Sequence, residues 1–553
     1  MPQHDDSAET TAKSLGAFYT DAQVAEFLVW WGVREATDTV LDPSFGGGVF
    51  LRAACQRLEA LGGRPRDQVF GVEFEESVHQ EITNKLRQEF MLGSGRLVCA
   101  DFFSLERATN APVDVVVGNP PFIRYQRFSG ATRSRALAQV ARAGVKLSAL
   151  ASSWLPFLIH SVTQLKRGGR LAMVLPFELT HAAYARTGLE FLVRSFGSVN
   201  LLTFRQKLFP NLSEDTLLLL AAEKGGSTAS WRWRDLAHAG DLADLIRAEA
   251  RDLYQCRVLD AEALASGQDR LIDHFISRKA RDLYRELVQS QRAVRLGEIA
   301  DVGIGYVTGA NEFFHLSQAA ARQWQIPAGF LRPAVRRGRS LRGLFFTAQD
   351  WEEGANRGEA SYLLHIKPTD EVPASVQRYL DTGGRIRTAF KVRTRSPWYS
   401  VPHVYRPDAF LSYMSGITPR LVANEAGVVA PNSLHILRLH EGVSLRERVL
   451  ATLWQTSLTR LSVELEGHSL GGGMLKLEPT EAESVMLPWP ANKRGLLEAA
   501  AELDLLARAK GDAATVREAD AAILRTRLYL TNAEVNLLQY AAACLQERRL
   551  ARA

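Results

Sequence analysis

The feature that most constrains this chain is an alternation, over its first 230 residues, of short apolar runs with helical patterns. Strand-like runs fall at residues 39–41, 69–72, 97–100, 113–117, 170–175, 199–204 and 216–222. Helical patterns fall at 21–31, 49–61, 152–165 and after Thr187. Buried parallel strands read as continuous apolar runs, and each crossover needs a helix, so this order predicts a doubly wound α/β sheet. The last two strands are expected to form a terminal hairpin. The stretch Lys224-Gly225-Gly226-Ser227-Thr228 is expected to close a first domain, 1–230.

At 553 residues the chain has room for further domains, and 46% hydrophobic with 23% charged residues is globular composition. Residues 231–490 are read as a second domain and 491–553, rich in Ala, Leu, Glu and Arg, as a helical segment. The net charge of +6 is too small to name a partner by itself. Cys55, Cys99, Cys256 and Cys544 lie far apart, which excludes a disulfide framework or zinc knuckle as the organising device. No export signal and no long apolar run is evident, so a cytoplasmic protein is expected.

Three strand ends carry acids. In VLDPSFGGGVFL (40–51) Asp42 precedes a glycine turn that opens a helix. Gly46 and Gly48 let a ligand approach the backbone, and the acid suits an ammonium group. The spacing fails the dinucleotide fingerprint, since Leu51 stands where the third glycine would be. Glu73 ends the next run, in GVEF, where a carboxylate can accept two ribose hydroxyls. Asp101 in ADFF could accept from an exocyclic adenine amine, with Phe102 packing on the ring. Each has a plainer alternative: a tight turn, a solvated acid, a helix cap.

The decisive run is VDVVVGNPPF, ending in Asn119-Pro120-Pro121-Phe122. Two prolines remove amide donors, so their carbonyls are expected to face outward as pure acceptors. With the Asn119 oxygen they suit an –NH₂ group, and Phe122 offers a face to a flat ring. An aryl amine is a poor nucleophile because its lone pair is delocalised. Acceptors that favour a pyramidal nitrogen would stabilise the transition state.

Taken in order, GAFYT (16–20), DPSFGGGVF, GVEF, ADFF and GNPPF resemble the amino-group DNA methyltransferases that use S-adenosyl-L-methionine, in the N6-adenine group with a C-terminal target-recognition region. The resemblance implies a Rossmann-like catalytic domain, an α+β recognition domain and terminal helices. It implies that Thr20 and Asp42 hold the methionine part of the cofactor, with Gly46 and Gly48 letting it close in, that Glu73 takes the ribose, and that Asp101 and Phe102 flank the adenine. Asn119 and Pro120 would receive the target amine, with Pro121 and Phe122 completing the motif. Phe122 and Phe209, the latter in KLFPNLSEDT, would sandwich the flipped base. The chain departs from the family at Phe45, where Cys or Ala is commoner, and at Phe122, where Tyr is. No metal and no covalent intermediate is required, and the lack of a Pro-Cys motif argues against carbon-5 cytosine methylation.

The excess positive charge lies mostly beyond residue 230. LRPAVRRGRSLRG (331–343) carries five arginines, and 384–406 interleaves cations with Phe390, Trp398, Tyr399 and Tyr405. Arg336, Arg337, Arg339, Arg385, Lys391, Arg393 and Arg395 are therefore expected to meet phosphates of double-stranded DNA; a solvated face is the alternative. VGIGYVTGANEFFHL (302–316) and HSLGGGMLKLEPTE (468–481) resemble segments of adenine-methylase recognition domains. The leading expectation is site-specific N6-adenine methylation in restriction–modification or phage defence, with a separate restriction endonuclease or defence proteins as partners. The competing expectations are methylation of an RNA base or a protein glutamine, and a non-catalytic DNA-binding subunit.

Overall fold

In the computed structural model the described residues are 20–552, apart from 148–150, 181–182, 210–214, 252, 254–255 and 444. Gly16–Tyr19 of the GAFYT run and residues 210–214 of the Phe209 segment thus lie outside them. The chain divides into two compact units, one of residues 1–273 with 551–553 and one of residues 274–550.

The first unit is built on a nine-stranded sheet. Its strands are β1 (Val40–Asp42), β2 (Val69–Glu73), β3 (Leu97–Cys99), β4 (Val113–Gly118), β5 (Leu165–Pro176), β6 (Phe196–Phe204), β7 (Thr216–Lys224), β8 (Ser230–Leu236) and β9 (Arg257–Asp260), in the order β3-β2-β1-β4-β5-β7-β6-β8-β9. β1 to β5 pair parallel, and β7 runs antiparallel between β5 and β6. The chain moves outward from β1 through β2 to β3, then returns to the other side of β1 with β4. A crevice therefore opens at the carboxyl ends of β1 and β4, where order reverses and open α/β sheets take their ligands.

The core explains the strand signals. Val40, Leu41, Val115, Val116, Val117 and Leu171 to Leu175 are fully or almost fully buried. Helix α1 (Ala22–Gly32) starts at Asp21, whose carboxylate accepts the Gln23 amide, and buries Phe27, Leu28 and Trp31. Helix α2 (Val49–Ala60) opens directly from the glycine turn, and α3 (Glu76–Phe90) follows β2. Helices α4 (Gly130–Arg142) and α5 (Trp154–Thr163) join β4 to β5. Residues 154–162 of α5 are all buried, as a helix apolar on nearly every side must be, with His160 and Ser161 the polar exceptions.

The expected boundary at 230 is corrected. The Gly-Gly-Ser stretch is only the turn between β7 and β8, and β8 and β9 extend the same sheet. Trp231 and Trp233 point inward at 0% and 2% exposure, so severing the chain there would strip two tryptophans from the core. The expected β6–β7 hairpin is antiparallel but interior, with β7 also paired to β5.

The second unit is α+β. A five-stranded sheet is formed by β10 (Ala300–Ile304), β11 (Phe345–Phe346), β12 (Ala409–Leu411), β13 (Leu421–Asn424) and β14 (His435–Leu439), in the order β10-β14-β12-β13-β11. Its core includes Val335, Phe346, Phe410, Val422 and Leu434. Gly305 in the VGIGYVTG run lies against backbone: a β-carbon there would come within 2.3 Å of the Ala430 and Pro431 carbonyl oxygens. The helices Leu496–Lys510, Asp512–Ala519 and Asn532–Leu550 belong to this unit and are no separate segment. Arg549 closes the last of them onto Glu464 at 2.7 Å and 3.0 Å, both side chains buried.

Candidate active site

The site gathers at the ends of β1, β2 and β4. Asp42 ends β1 with no exposed surface. Its Oδ1 accepts the Ser44 amide at 3.1 Å, while Oδ2 is buried with no partner among the described residues. Burial drives its pKa up from 3.8 to about 8; the Ser44 amide opposes this and the nearby charge of Glu73 adds to it. A buried, half-satisfied carboxyl is costly unless a cation completes it. Beside it the backbone turns through Gly46 and Gly48 at positive φ (46° and 74°), and a β-carbon on Gly48 would strike Ile82 at 2.6 Å. An open turn against a buried carboxyl that can ionise beside a cation fits an ammonium-bearing ligand.

Glu73, 9% exposed, braces this turn. Its Oε2 accepts the Gly46 amide and its Oε1 the Glu75 amide, both at 2.9 Å. On the adjoining strand Asp101 caps the next turn, accepting the Phe103 amide at 3.0 Å, and its Oδ2 pairs with Arg135 of α4 at 2.8 Å. Phe102 takes a different place from the one expected. It is 3% exposed, stacked on Phe157 at 5.5 Å and 4.5 Å from the His160 ring, so it anchors the Asp101 turn in the core and offers no free face.

At the tip of β4, Asn119 Nδ2 donates to the Thr20 hydroxyl at 3.2 Å, while Asn119 Oδ1 is buried with no partner among the described residues. That bond orients the amide with its oxygen as the available acceptor. The Pro121 carbonyl, expected to face outward, is instead taken by the Ser153 hydroxyl. The same hydroxyl accepts the Ile123 amide at 2.8 Å, and the Ser153 amide donates to the Ile123 carbonyl at 3.0 Å. Ser153 thus pins the Pro121–Ile123 turn, a role no local pattern announces. Of the two proline carbonyls, that of Pro120 is the one left to serve beside Asn119. Phe122 and Phe209 are both largely buried, at 9% and 6%.

In the second unit the expected cations separate into two groups. Arg337, Arg339, Arg385, Lys391 and Arg393 are exposed. Lys391 and Arg393 flank the 62%-exposed Phe390 ring at 5.8 Å and 5.5 Å, an arrangement suited to a phosphate backbone and bases. Arg336 and Arg395 are corrected from phosphate contacts to internal ties. Arg336 forms a two-pronged pair with Glu312, and Arg395 donates to the Val307 and Thr308 carbonyls. Glu312 lies 24 residues from Arg336 and Thr308 lies 87 from Arg395, beyond the reach of local sequence reading.

Residues 5–195 match the family model N-6 DNA Methylase, and residues 268–524 match that of the C-terminal domain of type II methyltransferase M.Eco57I. The chain is a DNA methyltransferase of the restriction–modification type. The methyltransferase is 21% identical over 491 residues to type II methyltransferase M.AccI of Acinetobacter calcoaceticus, covering 86% of this chain and 85% of that one. It is 23% identical over 495 residues to M.XamI of Xanthomonas campestris pv. amaranthicola, covering 86% of each. Among solved structures, its fold resembles a nuclease-deletion mutant of the type ISP restriction–modification enzyme LlaGI in complex with a DNA substrate mimic (TM-score 0.53, 12% identity, 88% of this chain and 54% of that one). It also resembles a DrdV–DNA complex (TM-score 0.52, 13% identity, 90% and 58%). The methyltransferase thus spans little more than half of either protein. Among the described residues no helix is long and apolar enough to cross a membrane.

Proposed function

We propose that this methyltransferase transfers a methyl group from S-adenosyl-L-methionine to the N6 amino group of adenine at a specific site in duplex DNA, within a restriction–modification or related defence system alongside a separate nuclease. The observation that carries this reading is the pair of buried oxygens without a partner among the described residues, Asp42 Oδ2 and Asn119 Oδ1, at the ends of neighbouring strands at the switch point of the sheet. One suits a cation, against which the carboxyl ionises, and the other an N–H donor.

When bound, the cofactor's sulfonium supplies an already activated methyl group, so the protein's task is positioning. Asp42 and Thr20 hold the methionine end beside the Gly46–Gly48 turn. Glu73 receives the ribose with the lone pairs not spent on the Gly46 and Glu75 amides, and Asp101 faces the adenine amine. Asn119 Oδ1 and the Pro120 carbonyl accept the two hydrogens of the target amine. As the nitrogen pyramidalises its N–H bonds become more acidic, so these acceptors bind the transition state better than the ground state. Leaving the duplex costs the target roughly a few kcal/mol. Stacking between Phe122 and Phe209, at about 1–3 kcal/mol per base, offsets it.

Asparagine at 119 supports adenine over cytosine, where serine is the commoner residue, and the exposed cations around Phe390 support DNA as the substrate. Nucleoside analysis and single-molecule sequencing of DNA from a host expressing the chain should reveal N6-methyladenine in one short context. N4-methylcytosine, or no modified base, would overturn the proposal.

A further inference from the structure

Helix α4 holds the Asp101 turn through a polar pair. Arg135 and Gln139 stand four residues apart, so they share one face of the helix. Arg135 turns one edge of its guanidinium to Asp101, with Nη2 at 2.8 Å and Nε at 3.0 Å from the single oxygen Oδ2. Gln139, which is buried, donates to the Phe103 and Leu105 carbonyls at 3.0 Å and 3.3 Å. One helix face thus grips the turn 101–105 by its carboxylate and by its backbone. That turn stands beside Glu73: Cys99 pairs with Glu73 across β2 and β3, and the Ala100 amide donates to the Glu73 carbonyl at 2.9 Å.

These bonds leave Asp101 a defined remainder. An ionised carboxylate offers about four lone pairs. Arg135 takes both on Oδ2 and the Phe103 amide takes one on Oδ1, so among the described residues one acceptor position on Oδ1 is left. Held by the Phe103 amide alone, the carboxylate could turn about its Cβ–Cγ bond, a torsion with broad wells. The two donors of a planar guanidinium fix that torsion; a lysine ammonium is a point charge and does not. We infer that Arg135 is a positioning residue for the cofactor: it sets the Asp101 carboxylate so that the remaining Oδ1 lone pair meets the exocyclic amine of the adenine, and so makes the pocket prefer adenine to a 6-oxo purine. The inference rests on the role given to Asp101 above. Nothing beside Asp101 in the sequence signals it, because Arg135 lies 34 residues further on, past β4.

The test is isothermal titration of the full chain with S-adenosyl-L-homocysteine, the product of methyl transfer, and with its inosine analogue, in which a 6-oxo group replaces the amine. The parent should prefer the adenine compound roughly 10–100-fold, as a hydrogen bond to a charged acceptor implies. Arg135→Ala should weaken the adenine compound about 10-fold and leave the inosine analogue within about 2-fold, so that the preference shrinks. Arg135→Lys should restore only part of it. Asp101→Asn, which keeps the shape and removes the charge, should lose the same preference, and adding Arg135→Ala to it should change nothing more. Arg135 is exposed, so its truncation opens no cavity in the core. An equal loss for both compounds, the mark of a merely structural tie, would overturn the proposal; so would unchanged or tighter binding of the adenine compound. A parent that binds the two compounds alike would overturn the reading of Asp101, and this inference with it.

Discussion

A β-carbon placed on Gly118 would lie 3.0 Å from Asp42 Oδ1. The acid read as the cofactor's anchor and the strand tip read as the amine's acceptor are thus neighbours across β1 and β4. Gly118→Ala should therefore push the Asp42 carboxyl by a few tenths of an ångström. Cofactor Kd should rise about 10-fold, a loss of about 1.4 kcal/mol, with thermal stability nearly unchanged. Isothermal titration on the purified variant reads this, and unchanged affinity would remove Asp42 from the anchor role.

Asp42 also links binding to pH. Its folded pKa is raised from 3.8 to about 8 by burial, so the free fold holds a proton that the unfolded chain releases. Its contribution is fully favourable to the fold at low pH and is lost as pH rises from about 4 through 8. A bound ammonium favours the ionised form. Cofactor binding near pH 7 should therefore release about one proton, seen as a dependence of calorimetric heat on buffer ionisation enthalpy. Asp42→Asn should raise the melting temperature of the free protein at pH 8 more than at pH 5, and should abolish that proton release together with binding.

Ser153→Ala removes one hydroxyl that serves both the Pro121 carbonyl and the Ile123 amide. Leaving a buried group unpaired costs about 1–3 kcal/mol. We expect kcat to fall while cofactor KM holds, because the turn carrying Phe122 loosens and the β1 side does not. Steady-state kinetics separates the two constants.

Charge removal should sort the cations. Alanine at Arg385, Lys391 or Arg393 should weaken DNA binding, and each phosphate left without its cation should flatten the salt dependence by about 1 in slope. Arg395→Ala should instead lower thermal stability, since it unties the Val307 and Thr308 carbonyls. Binding titrations across a salt series, run beside melting curves, distinguish these outcomes.

Strand ends are legible because a parallel strand is a bare apolar run, and an acid or Asn-Pro-Pro closing one has nowhere to go but the crevice. Legibility fails where partners are distant in sequence. Arg336 looks like any other cation of its run until Glu312 is seen against it. Phe102 reads together with its neighbour Asp101, but His160 and Phe157 claim its ring. Trp231 and Trp233 alternate with Arg232 and Arg234 as a strand should, and that period outweighs the glycine-serine stretch before it, which is a turn within the sheet.

The most direct test is single-turnover methyl transfer by Asn119→Ala with labelled cofactor and a duplex carrying the recognition site. Removing the oriented acceptor should slow transfer about 10²–10³-fold, a loss of about 3–4 kcal/mol, while DNA and cofactor affinities stay near those of the parent. Transfer at the parental rate would contradict the account at its centre.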